Sequence, residues 1–363
     1  MSSTHAAFLL SKGREKRVSA VLQESTIQNV AVCGAGVFGL NHLRVYRALQ
    51  QAGFPVRIAA IVESDSLRTG ALEQEWGVPV YHFIEACLSD RRSGKLSIDA
   101  ASVCVPTVSH FQVASELLAA GIDILVEKPV ATSLEEASQL INLAKDNRRI
   151  LQVGHLERFN PAVAAVRDLL NGPMFFEAHR LSVFSPRSLD VDVILDLMIH
   201  DLDIVLTLAN SPVSQVHAVG LPILSPKVDI ANVRLEFESG CVANFTASRV
   251  STERVRKLRF FQPHQYVSID YARQDLLVID VAAGGAATRP EDKISASLSM
   301  QKPQVTQGEP LRLEIESFLE CIRTRSQPVV SGEDGRAALE IALQINVAIA
   351  AHAARAGLDR YSL

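Results

Sequence analysis

The sequence predicts an α/β chain in which a doubly wound parallel sheet comes first and a second, α+β domain follows. Three observations predict it. Between Ile27 and Val153, short apolar runs alternate with amphipathic stretches, the pattern of strand and helix units in a parallel sheet. A glycine-rich turn, Gly34-Ala35-Gly36-Val37-Phe38-Gly39, joins the first run to the first amphipathic stretch. After Gly154 the texture shifts to five strand-like runs joined by short turns such as Glu238-Ser239-Gly240, which reads as an antiparallel or mixed sheet. A chain of 363 residues also suggests two domains more readily than one.

Taken in order, residues 1–25 hold Lys12, Arg14, Lys16 and Arg17 with little periodicity and read as an extension outside the fold. A strand ending at Val32 and Cys33 meets the glycine turn; a helix from Phe38 to about Ala52 follows, then a strand over Val56 to Val62. Ala100 to Val105 reads as a strand and Phe111 to Ala120 as a helix, with Gly121 placed where a helix stops. The strand Ile122 to Val126 comes next. Ser133 and Glu136 have capping-box spacing for a helix to about Asn147, before a short strand at Ile150 to Val153. The first domain is therefore expected over residues 26–153 and the second over 154–363. In the second, a helix over Pro161 to Leu170, a strand near Phe175 to Val183 and a helix over Val191 to Leu208 are expected. Strands follow at Val213 to Val219, Ala231 to Phe237, Val242 to Ser248, Lys257 to Phe261 and Tyr266 to Asp270. Helices over Leu311 to Thr324 and Gly332 to about Ala354 close the chain, the last with apolar Leu339, Leu343, Val347 and Ile349.

Composition narrows the function. With 36 basic against 40 acidic residues, a net charge of -4 provides no field for a polyanion, so nucleic acid is not an expected partner. No apolar run approaches the roughly 20 residues that span a bilayer, and Ala6 to Leu10 is too short for a signal sequence, so a cytoplasmic protein away from membranes is expected. The five cysteines are scattered, with no C-x-x-C pair, so neither a disulfide framework nor a zinc cage is expected.

Gly34, Gly36 and Gly39 spell G-x-G-x-x-G between a strand and a helix, the setting in which this motif binds a dinucleotide. The first glycine permits the tight turn, the second lets the backbone approach a pyrophosphate, and the third lets helix pack on strand, with the helix N-terminus facing the negative charge. Glu63 ends the second strand, where a carboxylate can accept bonds from the adenosine ribose hydroxyls, a choice that favours NAD. Arg68 nearby keeps NADP as the alternative.

Glu127-Lys128-Pro129 follows the strand Ile122 to Val126, at the carboxyl ends where open α/β sheets bind ligands, so Lys128 is aimed at the cofactor. A lysine there can donate to a substrate hydroxyl or, desolvated, titrate in a catalytic range. Asp196 and His200, four apart on one helix, share a face and form a candidate acid-base pair, in which Asp196 would orient the imidazole and His200 would take a hydroxyl proton. Asp203 is a possible second partner of His200; with Asp201 it could instead cap a polar edge. No third ligand accompanies the D-x-x-x-H spacing, so no metal is expected.

With these residues in view, the chain resembles the glucose-fructose oxidoreductase / inositol dehydrogenase / MocA family (Gfo/Idh/MocA) from about Ile27 to Ala354. The resemblance rests on the glycine turn with His42, on Pro106-Thr107-x-x-His110, on Glu127-Lys128-Pro129 and on Asp196-x-x-x-His200. It implies an N-terminal Rossmann domain, an α+β domain with a mostly antiparallel open sheet that pairs chains into a homodimer or homotetramer, and NAD-dependent oxidation of a CH–OH group. Catalysis would fall to Lys128, Asp196 and His200. The cofactor would touch Gly34, Gly36, Val37, Phe38, Gly39, Glu63, Pro106, Thr107, His110, Glu127, Lys128 and Pro129. The stretch before Asp196 lacks the glycines that many members carry there, which leaves the pocket's shape open.

A narrower likeness lies in Gly154-His155-Leu156-Glu157-Arg158-Phe159-Asn160-Pro161, in Ser185-Pro186-Arg187-Ser188 and in Asp196-Leu197-Met198-Ile199-His200-Asp201. These resemble the branch that oxidises the 3-hydroxyl of UDP-N-acetylglucosamine, giving a 3-keto sugar nucleotide for lipid A biosynthesis. Arg158 and Arg187 are candidate donors to a diphosphate, because a guanidinium binds phosphate in bidentate fashion; a surface or domain-contact role is the alternative. His155 and Asn160 are candidate sugar contacts. Another sugar, UDP-sugar-uronate or inositol as substrate, or a non-catalytic NAD-binding regulator, are the alternative functions.

Overall fold

The computed structural model describes residues 27–184, 191–281 and 298–358. The expected extension over residues 1–25, and Arg187, lie outside them. The first layer is a six-stranded sheet of β1 (Gln28–Cys33), β2 (Val56–Val62), β3 (Val80–Tyr81), β4 (Ala100–Val103), β5 (Asp123–Glu127) and β6 (Leu151–Gly154), ordered β3-β2-β1-β4-β5-β6. Every pairing in it is parallel. Its central strands are buried almost continuously, as befits a sheet covered on both faces by α1 (Val37–Gln51), α2 (Ser66–Trp76), α3 (Ile84–Arg92), α4 (His110–Ala119) and α5 (Leu134–Asp146). Chain order reverses between β1 and β4, which opens a crevice at the carboxyl ends of those strands.

Local chemistry sets the helix ends. Asp65 caps α2 by accepting from Leu67 N, and Ser133 caps α5 by accepting from Glu136 N. The capping box expected at Ser133 is only half made. Glu136 turns its carboxylate to Thr132 N and Oγ1 instead, at 3.0 and 2.5 Å. The sequence reading placed nothing between Val62 and Ala100, where α2, β3 and α3 stand: β3 has two residues, and α2 buries only Leu72, so neither leaves a periodic signature.

After α6 (Pro161–Val166), the second layer is an eight-stranded sheet. It comprises β7 (Phe175–Val183), β8 (Val213–Leu221), β9 (Ile230–Phe237), β10 (Val242–Ser251), β11 (Val255–Gln262), β12 (Gln265–Asp270), β13 (Asp275–Val281) and β14 (Leu298–Gln301). The order is β14-β13-β12-β11-β7-β10-β9-β8, antiparallel except for the parallel pair β7 and β10. Strands β13 and β14 were not foreseen. The helix expected over Pro161 to Leu170 ends at Val166 and passes into a 3-10 turn, Arg167–Leu169.

The helix expected over Val191 to Leu208 is likewise broken. A π-helical turn, Ile194–Met198, precedes α7 (Ile199–Ala209), and Asp192 caps its start by accepting from Ile194 N and Leu195 N, both at 2.9 Å.

The last helices, α8 (Pro310–Thr324) and α9 (Gly332–Ala356), tie the layers together. Leu311, Ile315 and Phe318 of α8 enter the core of the first sheet beside Leu43 and Leu49. By length and composition α9 alone, among the described helices, could cross a membrane, contrary to the expectation that no segment would. It packs instead against β8, α7, α5 and β6, burying Leu339, Ile345 and Ile349, while Val347 faces solvent. Gly335 sits so close to β6 that a Cβ would stand 2.7 Å from Val153.

Candidate active site

The glycine turn forms because β1 must reverse into α1 within a few residues. Gly34 takes φ +89°, and a Cβ there would lie 2.6 Å from Cys104 O; a Cβ on Gly39 would lie 1.8 Å from Gly34 O. Gly36 differs: a Cβ would meet no atom within 4 Å, so its backbone faces open space at the N-terminus of α1. This is the cradle a pyrophosphate needs. A cleft of about 510 Å³ opens there, lined in part by Gly34, Gly36, Glu63, Arg68, Val105 and Pro106. Val37 and Phe38 are exposed at its edge, and Thr107 starts the turn beyond Pro106. These residues fit an NAD-type dinucleotide.

Glu63 is held from two sides, accepting from Ala35 N at 3.0 Å and Asp65 N at 2.9 Å. Arg68 closes the group, with Nη1 3.3 Å from the Glu63 carboxylate and Nη2 donating to Ala35 O at 2.7 Å.

Two of the expected cofactor contacts work behind the cleft rather than in it. His110 is buried, with Nδ1 2.8 Å from Pro129 O and Nε2 3.0 Å from Val105 O. It braces the β4 end against the turn carrying Lys128, whose bond to Pro129 is cis. Glu127 is buried and accepts from His42 Nε2 at 2.9 Å. With Nε2 donating, Nδ1 of His42 accepts from Ser102 Oγ at 3.0 Å, and Ser102 accepts from Tyr46 OH at 2.9 Å. That chain uses up the polar atoms of His42, so its closeness to Cys104 and Glu127 reflects a hydrogen-bond network.

Lys128 crosses from the first layer to the second. Its Nζ donates to Asp196 O at 2.7 Å and lies 3.6 Å from Asp196 Oδ1. Burial lowers the pKa of Lys128, while the nearby carboxylates, Asp196 first, resist that shift. Here the expected geometry needs correcting. No hydrogen bond joins Asp196 to His200 among the described residues; the π-helical turn between them changes their angular relation, and Asp196 serves Lys128. His200 Nδ1 is buried without a hydrogen-bond partner, and the His155 ring stands edge-on to it at 6.2 Å. Burial first, then the charges of Lys128 and Arg180, hold the His200 pKa well below the ordinary histidine value. His155, buried with both ring nitrogens unpartnered, is also shifted down. The site thus gathers one amine, one carboxylate and two neutral imidazoles.

The structure does not place Arg158 or Asn160 as free donors. The Arg158 guanidinium is buried and bound bidentate by Asp203, at 2.6 and 2.9 Å, with Asp334 of α9 at 3.5 Å. Asn160 caps α6, accepting from Ala162 N and donating to Tyr271 O. Both are spent on structure, because a buried polar group without a partner is costly. Asp203 accordingly pairs with Arg158 and not with His200.

Sequence reasoning missed Arg180 of β7. It is buried and bound by Asp201 at 2.7 and 3.0 Å and by Glu157 at 3.0 Å, over the Tyr271 ring. Its signal was available: Arg180 falls in phase with buried Phe176 and Ala178, so the alternation places a cation at a core position.

Known proteins resemble this chain in sequence and fold. A family model described as an oxidoreductase family with an NAD-binding Rossmann fold matches residues 28–155, and the C-terminal domain of GFO/IDH/MocA proteins matches residues 175–262. Over 317 residues the chain is 34% identical to UDP-N-acetylglucosamine 3-dehydrogenase of Acidithiobacillus ferrooxidans, covering 87% of this chain and 97% of that one. A solved structure of an enzyme of that name from the same organism matches with a TM-score of 0.78 at 32% identity, covering 89% and 98%. Inositol 2-dehydrogenase of Rhizobium meliloti is 26% identical over 328 residues, covering 85% and 93%.

Proposed function

The chain belongs to the GFO/IDH/MocA family of oxidoreductases, and from that premise we propose that it oxidises the 3-hydroxyl of UDP-N-acetylglucosamine to the 3-keto sugar nucleotide, with NAD as acceptor. The observation that carries the chemistry is Lys128 Nζ, held by Asp196 and near enough to His200 for its charge to help keep that imidazole neutral. The 34% identity over almost the whole length of a UDP-N-acetylglucosamine 3-dehydrogenase supports the substrate.

A dinucleotide held by the glycine turn and Glu63 would supply the acceptor for the hydride leaving the substrate carbon. The protein supplies the rest. His200 takes the hydroxyl proton, since its imidazole is neutral at pH 7. Lys128, paired with Asp196, donates a hydrogen bond to the alkoxide that forms. Asp196 fixes the amine through both its carbonyl and its carboxylate. Glu63, set where ribose hydroxyls would lie, favours NAD over a 2'-phosphorylated cofactor.

The test is a panel of UDP-N-acetylglucosamine, its uronate and myo-inositol, each with NAD and with NADP, read by the absorbance of reduced cofactor. Turnover of UDP-N-acetylglucosamine with NAD well above the others is expected. Preferential oxidation of myo-inositol would overturn the substrate assignment.

A further inference from the structure

Strand β11 carries an arginine that the catalytic scheme leaves unused. Alternation places Arg256 on the same face as buried Leu258 and Phe260, and the register pairs it directly with Arg180 of β7. Leu258 and Phe260 face Ala178 and Phe176 in the same way, so this row runs from an apolar core to a charged end beside α7. At that end Arg180 is fully committed to Asp201 and Glu157. The Arg256 side chain is exposed and makes no hydrogen bond or ion pair with any described residue. Its charge is among those felt by His200, and Arg254, in the turn between β10 and β11, adds its own charge next to Arg256.

We propose that Arg256, with Arg254 beside it, is the subsite for the diphosphate of the nucleotide-sugar substrate, the role that Arg158 is too buried and too well paired to fill. This rests on the substrate reading above.

With the carboxylates of Asp201 and Glu157 already bound to Arg180, the exposed guanidinium of Arg256 opposite it is left available to an anion from solution. Burial, then the like charge of Arg180, pulls the Arg256 pKa below the ordinary arginine value, and Glu157 and Asp201 only partly oppose the shift. A guanidinium binds phosphate oxygens in bidentate fashion, so a diphosphate carrying two charges suits this position better than a neutral sugar. Because β11 belongs to the second layer, the subsite is separate from the glycine turn that would hold the cofactor's own pyrophosphate.

Titration calorimetry with UDP, and separately with NAD, on the full chain and on Arg256→Gln and Arg256→Lys tests the assignment. Losing a charge-assisted bond should weaken UDP about 10- to 100-fold, with partial recovery in the lysine variant and NAD affinity unchanged. Uridine, lacking phosphate, should bind all three proteins equally weakly. Equal UDP affinity in the parent and Arg256→Gln, both folded by circular dichroism, overturns the subsite. If UDP binding depends on Arg256 while UDP-N-acetylglucosamine is not oxidised, the subsite stands and the substrate reading fails. If the sugar nucleotide is oxidised with the same KM by parent and Arg256→Gln, the subsite fails and the substrate reading stands.

Discussion

Lys128 is held by groups from the opposite layer, so its chemistry depends on a contact between distant parts of the chain. Lys128→Met should lower kcat by about 100- to 10,000-fold while leaving NAD affinity within a factor of two or three; single-turnover and binding measurements separate the two effects. His200 sets the pH response. Its pKa lies well below 6.5, so the acid limb of kcat/KM should fall below that of a free imidazole, and a limb at pH 6.5 or higher would remove it as the base. The glycines offer a sharper contrast. Gly39→Ala forces a Cβ onto Gly34 O and should cripple folding, whereas Gly36→Ala meets no protein atom and should melt near the parent temperature while losing NAD affinity. Thermal melts paired with NAD titrations check both.

At the scale of elements, Arg180 pins β7 to α7 and to the turn before α6 through Asp201 and Glu157. Burial pulls its pKa down, yet the two carboxylates outweigh that and raise it, so the cation persists. Arg180→Leu would strand two buried carboxylates and should cost about 3–5 kcal/mol, read as a shift in urea midpoint. The helix face containing His200 departs from its expected register for a local reason. A regular α-helix puts residues four apart in register, but the π-helical turn from Ile194 to Met198 breaks that register. The apolar residues Ile194, Met198 and Ile199 are buried either way, so hydrophobic spacing does not report the insertion.

Across the whole molecule, buried titratable groups give stability a definite dependence on pH. His155 and His200 stay neutral in the fold and accept protons more readily once unfolded, so the unfolded chain binds more protons just below pH 6.5. Their contribution should therefore shrink as pH falls from 6.5, and His155→Asn should flatten that slope in urea melts. Glu314 acts in the other direction. Burial first, then the charge of Glu127, raises its carboxyl well above 4.5, and neither oxygen has a partner. Its contribution is full below 4.5 and wanes as pH rises through the folded pKa, so Glu314→Gln should stabilise the protein at pH 7; a lower urea midpoint would refute this. The alternation of apolar and polar residues, the three glycines and the positions of Lys128, Asp196 and His200 were determined by the sequence itself, because strand period, turn geometry and motif spacing are local. The partner of each charge was decided only by tertiary packing. Arg158 looks like Arg256 along the chain, yet one meets Asp203 from 45 residues away and the other makes no ion pair with a described residue, since ion pairing depends on which distant segments the fold brings within a few ångströms.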